Sequence, residues 1–158
     1  MTPSSSSMKI SRILRAKPTR QRGQHYRADA VIVWCFENGW REMLVKFEKQ
    51  RKYTYVDEIK IAGGAKDLGP LGERAAKAYL LKQIRGSIKL HGTKLVILMS
   101  HSDCGAYGGL MTFNNDPEFE KSKHIEYLHA AKDFLCSKLP HPVKVELIFA
   151  DFNGLWSV

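Results

Sequence analysis

Residues 95–99 (LVILM) form an unbroken apolar run, and the polar, glycine-containing segment 100–106 (SHSDCGA) follows it directly. A run without alternation is typical of a strand that is covered on both faces, as in parallel sheets. Open α/β sheets bind their ligands beyond the carboxyl ends of such strands. The pattern therefore predicts a buried parallel strand with a candidate ligand-binding loop after it.

Three further segments have strand character. Residues 28–36 (ADAVIVWCF) contain the β-branched run Val31-Ile32-Val33, residues 53–61 are β-rich and are closed by Gly63-Gly64, and residues 143–150 form the last apolar run. Together with residues 95–99 they predict a sheet of about four strands.

Helical patterns separate these strands. Apolar residues at helical spacing after Asn38, a possible N-cap, predict a short helix; they are Trp40, Met43, Leu44 and Phe47. A second helix is predicted from Pro70 to a C-cap at Gly92, with one apolar face made of Leu71, Ala75, Ala78, Leu81, Ile84 and Ile88. A third is predicted to start at Asp116-Pro117 and to end before Pro140.

This alternation predicts the α/β class: a small three-layer fold with a mostly parallel sheet and helices on both faces. The length of 158 residues suits a single domain. We place that domain at residues 28–158.

Residues 1–27 differ in composition from the rest of the chain. They carry seven positive charges and no acidic residue, which leaves 18 basic against 16 acidic residues elsewhere, although the whole chain has a net charge of +9. Few large apolar residues occur there, so we expect a flexible basic tail. A basic tail can bind nucleic acid, but we favour a solvated segment.

Three widely spaced cysteines argue against a disulfide framework and fit a reducing compartment. The sequence has no apolar run near the ~18 residues that a membrane span needs, and no signal-peptide pattern. We therefore expect a cytoplasmic protein without a membrane segment.

Candidate metal ligands stand at two strand ends. Cys35 ends the first strand, and His101 and Cys104 lie just past the strand 95–99. If the two strands are neighbours, two thiolates and an imidazole meet, which is a ligand set that suits zinc and leaves a fourth position open. Cys136 has no such companions, so we expect a core residue there.

The motifs resemble those of the β-class carbonic anhydrases. The Cys at the end of the first strand, the Ala62-Gly63-Gly64 turn and the His101-Ser-Asp-Cys104-Gly-Ala segment occur in the family's order, over most of the chain from about residue 28. The resemblance implies that Zn²⁺ is bound by Cys35, His101 and Cys104, that zinc-bound hydroxide hydrates carbon dioxide to bicarbonate, and that the protein is a homodimer or a higher oligomer.

The chain departs from the family in its first motif. The family has an Asp two residues and an Arg four residues after the Cys, where this chain has Glu37 and Gly39. Glu37 keeps a carboxylate near the metal, and we favour its direct ligation in the resting state. Arg41 is interpreted as a solvated charge. Asp103, between two ligands, either orients the reacting hydroxide or bonds its own loop.

Three functional hypotheses follow. The first is a carbonic anhydrase-like zinc lyase with Glu37 and Asp103 as its catalytic side chains. The second is a zinc hydrolase of another small electrophile such as carbon disulfide, and the third is a non-catalytic zinc protein of the same fold. The other histidines are expected on the surface without a role; they are His25, His91, His124, His129 and His141.

Overall fold

A five-stranded sheet forms the centre of the structure, a computed structural model that describes residues 13–14 and 16–158. The strands are β1 (Ala30–Cys35), β2 (Val56–Ile61), β3 (Leu95–His101), β4 (Lys144–Asp151) and β5 (Gly154–Ser157). Their order is β2-β1-β3-β4-β5, with the first four parallel and β5 antiparallel to β4. The α/β class with a mostly parallel sheet is confirmed, and the sheet has one more strand than the apolar runs predicted.

Within the described residues, three α-helices cover the two faces of the sheet. They are α1 (Arg41–Gln50), α2 (Arg74–His91) and α3 (Pro117–Cys136), and short 3₁₀ turns occur at Asn38–Trp40, Gly64–Leu68, Gly105–Tyr107 and Leu110–Phe113. One face packs against α2 and α3, with Val96 and Leu98 of β3 in that core. The opposite face, with Ile97 and Met99, packs against α1. Successive residues of β3 thus point into two different cores, which explains the unbroken apolar run.

Helix α2 starts later than predicted. The helix begins at Arg74, because residues 70–73 still belong to a tight turn in which Gly72 lies against the backbone of Asp67. The predicted apolar face is also partly wrong: Leu71, Ala75 and Ala78 are exposed, and the buried positions are Leu80, Ile84 and Ser87. Gly92 is confirmed as the C-cap, with a φ of 61° in the left-handed region.

The other two helices begin in different ways. Asn38 does not cap α1, since it opens a 3₁₀ turn and the N-cap of α1 is Trp40, without a side-chain hydrogen bond. Helix α3 begins as predicted, with Pro117 in its first turn and the Asp116 carboxylate accepting hydrogen bonds from the backbone N–H groups of Glu118 and Phe119 at 2.9 and 3.1 Å. An N-cap of this kind contributes about 1 kcal/mol.

The predicted tail, residues 1–27, lies partly outside the described residues, which leave out 1–12 and 15. At its end, the Tyr26 hydroxyl donates a hydrogen bond to Asp57 Oδ1 at 2.7 Å, and the Tyr26 ring stacks on Tyr55. Within the part of the chain that the structure describes, no helix is long and apolar enough to cross a membrane.

Candidate metal centre

The carboxyl ends of β1 and β3 lie side by side at the point where the strand order reverses. Cys35 is the last residue of β1, and His101 is the last residue of β3 rather than a loop residue beyond it. The two strands pair in parallel, as the metal-site hypothesis requires. Ligand sites of open α/β sheets occur at this switch point.

A glycine turn passes close to both strand ends. Gly64 has a φ of +56°, and a Cβ at this position would lie 2.5 Å from the Met99 carbonyl oxygen and 3.1 Å from the Cys35 backbone nitrogen. No larger residue fits there without moving one of the strands. The Ala62-Gly63-Gly64 turn therefore allows the backbone to approach the site closely.

The three predicted ligands come together. One potential ligand atom from each of Cys35, His101 and Cys104 lies within 4.8 Å of the other two, and all three residues are buried. His101 Nδ1 is 2.8 Å from the Ser102 carbonyl oxygen, to which it donates in the tautomer that leaves Nε2 with a free lone pair. Nε2 is buried and lies near the Cys35 sulfur and the Glu37 carboxylate, but it forms no hydrogen bond of good geometry in the described structure. Two thiol sulfurs and this nitrogen form a donor set that fits Zn²⁺.

The contact between the two thiols shifts the pKa of each in opposite directions. A hydrogen bond from the Cys104 thiol lowers the pKa of Cys35 to about 3, and the same contact raises the pKa of Cys104. Burial lowers the pKa of His101, but its contacts with Cys35 and Ser102 outweigh burial and raise it. The pair of thiols thus favours the loss of one proton, whereas a bound cation would favour the loss of both.

Glu37 points towards the same centre. Its Oε2 lies 3.5 Å from His101 Nε2, although the side chain is 48% exposed. Gly39 lies beside this carboxylate, with space for a Cβ at 3.5 Å from Oε1, and Arg41 is exposed at the start of α1. The carboxylate therefore lies close to the cluster of potential ligand atoms, and residue 39 provides no cation beside it.

Asp103 is engaged with its own loop. It has a φ of 52°, and its Oδ1 accepts a hydrogen bond from the Leu110 backbone N–H at 3.0 Å. Its carboxylate is not part of the cluster of potential ligand atoms. The Asp103 carboxylate thus bonds the backbone of the segment that follows Cys104.

The sequence did not reveal the polar residues of α3 near the site. Glu120 is 1% exposed and accepts a hydrogen bond from the Asp103 backbone N–H at 2.7 Å. His124 is completely buried, so the expectation of a surface residue is wrong for it. Their spacing of four residues places both on one helix face, which was the available signal. Cys136 is exposed rather than buried, because α3 ends there on its solvent side.

Two cavities open beside Glu37. One has a volume of about 290 Å³ and is lined mainly by small or apolar residues, which include Cys35, Phe36, Ala62, Gly63, Cys104 and Ala106. The other, of about 250 Å³, contains Asp103 and Asp151 with Trp40 and Phe152. Glu37 lines both, so the carboxylate borders an apolar pocket beside Cys35 and Cys104 and also an acidic one.

The fold has counterparts among known proteins. Residues 27–158 match the model of the family described as "Putative carbonic anhydrase". The chain belongs to this family. No curated protein sequence matches the chain.

Solved carbonic anhydrases have the same fold. The β-carbonic anhydrase isoform I of Trichomonas vaginalis has a TM-score of 0.54 at 15% identity over 89% of this chain and 87% of its own. The carbonic anhydrase of Streptococcus mutans has a TM-score of 0.57 at 14% identity, over 85% of this chain and 83% of its own. A tetrameric β-carbonic anhydrase of Sordaria macrospora has a TM-score of 0.54 at 10% identity, over 86% of this chain and 82% of its own. These similarities confirm the β-carbonic anhydrase-like fold.

Proposed function

We propose that this protein is a zinc-dependent carbonic anhydrase, a lyase that interconverts carbon dioxide and bicarbonate. The observation that carries the proposal is the buried cluster of Cys35, His101 and Cys104 with an unpartnered His101 Nε2. An unpartnered buried nitrogen is costly, about 1–3 kcal/mol, unless a ligand occupies the site. Metal binding would remove that cost.

The residues present fit the ion. Cys35 and Cys104 would each contribute a sulfur and His101 its Nε2, while the Ser102 carbonyl fixes the orientation of the imidazole. Zinc held by three protein ligands lowers the pKa of a water at the fourth position to about 7, which supplies a nucleophile at neutral pH.

Glu37 decides whether that fourth position is open. Its Oε2, at 3.5 Å from His101 Nε2, is close enough for either of two roles. The carboxylate can accept a proton from the attacking water, or it can occupy the open position itself. We favour the second role in the resting state, since no Arg at position 39 draws the carboxylate away. Asp103 is assigned a smaller role, in keeping its loop in place.

The apolar cavity supports a small, uncharged substrate. Phe36, Ala62 and Ala106 surround the side of the cluster next to Cys35 and Cys104. Carbon dioxide has no net charge or dipole and can enter such a pocket without losing strong hydrogen bonds with water. A phosphate or carboxylate substrate would need cationic partners, and the lining residues of this cavity include none.

Compartment and assembly belong to the same proposal. Free thiols at Cys35 and Cys104 suit the reducing cytoplasm. The Sordaria macrospora enzymes are tetrameric, and we propose that this chain also forms a homodimer or a higher oligomer.

The test combines metal analysis with a stopped-flow assay of carbon dioxide hydration on the purified protein. We expect roughly one zinc per chain, as three-ligand sites of this type hold a single ion. We expect hydration above the uncatalysed rate at alkaline pH. Stoichiometric zinc without hydration at any pH would favour the non-catalytic hypothesis, and a protein without zinc would contradict both.

A further inference from the structure

The segment that carries two of the three metal ligands is held at both ends by backbone contacts. The Ser102 N–H donates to the Ala150 carbonyl at 2.9 Å, and the Cys104 carbonyl accepts from the N–H groups of Tyr107 and Gly109 at 2.9 and 3.0 Å. Between them lies Asp103, whose φ of 52° is in the left-handed region and whose Oδ1 accepts a hydrogen bond from the Leu110 N–H at 3.0 Å. The Asp103 backbone N–H takes part in none of these bonds and needs a contact of its own.

Glu120 of α3 provides that contact. Its Oε1 accepts a hydrogen bond from the Asp103 N–H at 2.7 Å, and the residue is 1% exposed. The bond is part-buried, since the Glu120 side chain is buried although Asp103 is exposed, and this limits competition from water. It joins the middle of the ligand segment to a 20-residue helix packed on the sheet.

His124 does not compete with the Asp103 N–H for the Glu120 carboxylate. His124 Nε2 lies 4.0 Å from Glu120 Oε1, beyond hydrogen-bond range. Burial lowers the pKa of His124 to about 4, so its ring is neutral at pH 7 and does not pair with the carboxyl as a cation. Burial also raises the pKa of Glu120, but a carboxyl oxygen accepts a hydrogen bond in either protonation state.

We propose that Glu120 is a positioning residue that holds Asp103 in its left-handed conformation and thereby sets the separation of the ligand atoms of His101 and Cys104. This inference rests on the proposed zinc site. Residues that orient metal ligands typically change metal affinity by about 10- to 100-fold when they are replaced.

The experiment measures zinc affinity by competition with a chromogenic chelator, and the absorption spectrum of the cobalt-substituted protein as a report on site geometry. Glu120→Ala removes the acceptor, and we expect the zinc Kd to rise at least about tenfold and the cobalt bands to shift. Glu120→Gln keeps an amide oxygen at the same place, and we expect both readouts to stay close to wild type. Glu118→Gln, an exposed change on the first turn of α3, is the matched control and should change neither.

A second control separates positioning from general support of α3. Leu128→Ala removes a buried apolar side chain from the same helix and should lower the Tm without changing the zinc Kd or the cobalt spectrum. If Glu120→Ala behaves like Leu128→Ala, the proposal is overturned. Should Glu120→Ala fail to fold, Glu120→Asp replaces it: its carboxylate falls short of the Asp103 N–H, and unchanged zinc affinity in that variant would overturn the proposal as well.

Zinc binding by the wild-type protein tests the proposed function separately from the role of Glu120. A wild type that binds no zinc contradicts the proposed function and this inference together. A wild type that binds zinc, with Glu120 variants that bind it equally well, contradicts the inference alone.

Discussion

Two polar clusters lie at opposite ends of the sheet, and they differ in whether their groups have partners. The amino-end cluster consists of Tyr26, Asp57, Ser87, His91 and Thr93. Its central carboxylate accepts hydrogen bonds from the Tyr26 hydroxyl at 2.7 Å and the Ser87 hydroxyl at 2.6 Å, and lies 2.7 Å from His91 Nδ1. The carboxyl-end cluster consists of Cys35, His101 and Cys104, where His101 Nε2 has no partner in the described structure.

The comparison separates a structural network from a binding site. Each cluster has a histidine fixed through Nδ1, at Asp57 in one case and at the Ser102 carbonyl in the other. At the amino end the Ser87 and Thr93 hydroxyls also bond each other, as expected of a network that stabilises a fold. At the carboxyl end the potential ligand atoms converge on a common point, as expected of a site completed by an ion.

The largest effect is expected from breaking the carboxyl-end cluster. Cys35→Ser, His101→Ala and Cys104→Ser should each reduce bound zinc from roughly one ion per chain to a small fraction, because a structural or catalytic zinc site rarely survives with two good ligands. Cys136→Ser is the matched control, since this exposed thiol lies outside the cluster and its loss should leave zinc unchanged. Metal analysis after dialysis measures the result. Full zinc content in Cys35→Ser would contradict the site, as this residue alone connects β1 to it.

The next effect concerns the carboxylate that lies against the carboxyl-end cluster. Glu37→Gln should retain zinc, since the sulfurs and the imidazole remain. If the carboxylate occupies the fourth position in the wild type, the wild type should be slow at pH 7 and faster at alkaline pH, where hydroxide competes with it. An amide that binds the metal more weakly by about 1.4 kcal/mol would raise the rate at pH 7 about tenfold and flatten the pH profile.

Stopped-flow hydration rates between pH 6 and 9 measure this effect. Glu42→Gln, an exposed change on the first turn of α1, is the control for the loss of one negative charge nearby. A wild type that is fully active at pH 7 and a Glu37→Gln variant without activity would reverse the assignment, because the carboxylate would then act on the attacking water.

At the amino end the expected effect is on stability rather than on metal binding. Asp57→Ala leaves the donors of Tyr26 and Ser87 without their acceptor, which should lower the free energy of unfolding by about 2 kcal/mol. Zinc content should not change, since the two clusters lie at opposite ends of the sheet. Glu58→Ala is the control, because its surface ion pair with Lys60 is worth only about 0–1 kcal/mol. Urea unfolding followed by circular dichroism measures both variants, and loss of zinc in Asp57→Ala would contradict the separation of the clusters.

The contribution of Asp57 should also depend on pH. Burial raises the pKa of its carboxyl, but the hydrogen bonds from Ser87, Tyr26 and His91 outweigh burial and lower it below the ordinary value. A carboxyl with a lowered pKa in the folded state stabilises the protein above the unfolded pKa of about 3.9 and loses this effect as the pH falls. The stability difference between wild type and Asp57→Asn should therefore shrink below about pH 4.

The sequence revealed the carboxyl-end cluster and concealed the amino-end one, for physical reasons. A buried parallel strand leaves a contiguous apolar run, so the sequence indicates the ends of β1 and β3 and the candidate ligands beside them. The sequence does not determine strand adjacency, because adjacency depends on the order in which the strands pair. Glu120 acts on Asp103 across 17 residues of sequence, and no local pattern records such a contact.

Helix α2 shows the same limit. Its C-cap depends on a single glycine and was predicted correctly, whereas its start depends on how residues 70–73 pack against Asp67. The position of its buried face is set by the sheet and by α3 rather than by the helix itself, so Ala75 and Ala78 were assigned to the wrong side. The sequence thus predicts features that depend on a few neighbouring residues, such as this C-cap. It does not predict features that depend on tertiary contacts, such as the start and the buried face of the helix.

The smallest effect is expected at the boundary of the N-terminal tail, which ends in the amino-end cluster. The sequence alone predicts that removal of residues 1–27 leaves folding unchanged, but Tyr26 bonds Asp57 and its ring lies 4.1 Å from that of His91. Removal of residues 1–24 should therefore leave the Tm and the zinc content unchanged. Removal of residues 1–27 should cost about 1 kcal/mol for the lost hydrogen bond, which lowers the Tm by about 2–4 °C in a domain of this size.

Tyr26→Phe in the full-length chain removes the hydroxyl alone and should reproduce most of that change in a calorimetric scan. If the shorter deletion already lowers the Tm by more than this, residues 1–24 pack on the domain or on a second subunit, and the interpretation of the segment as a solvated tail is wrong.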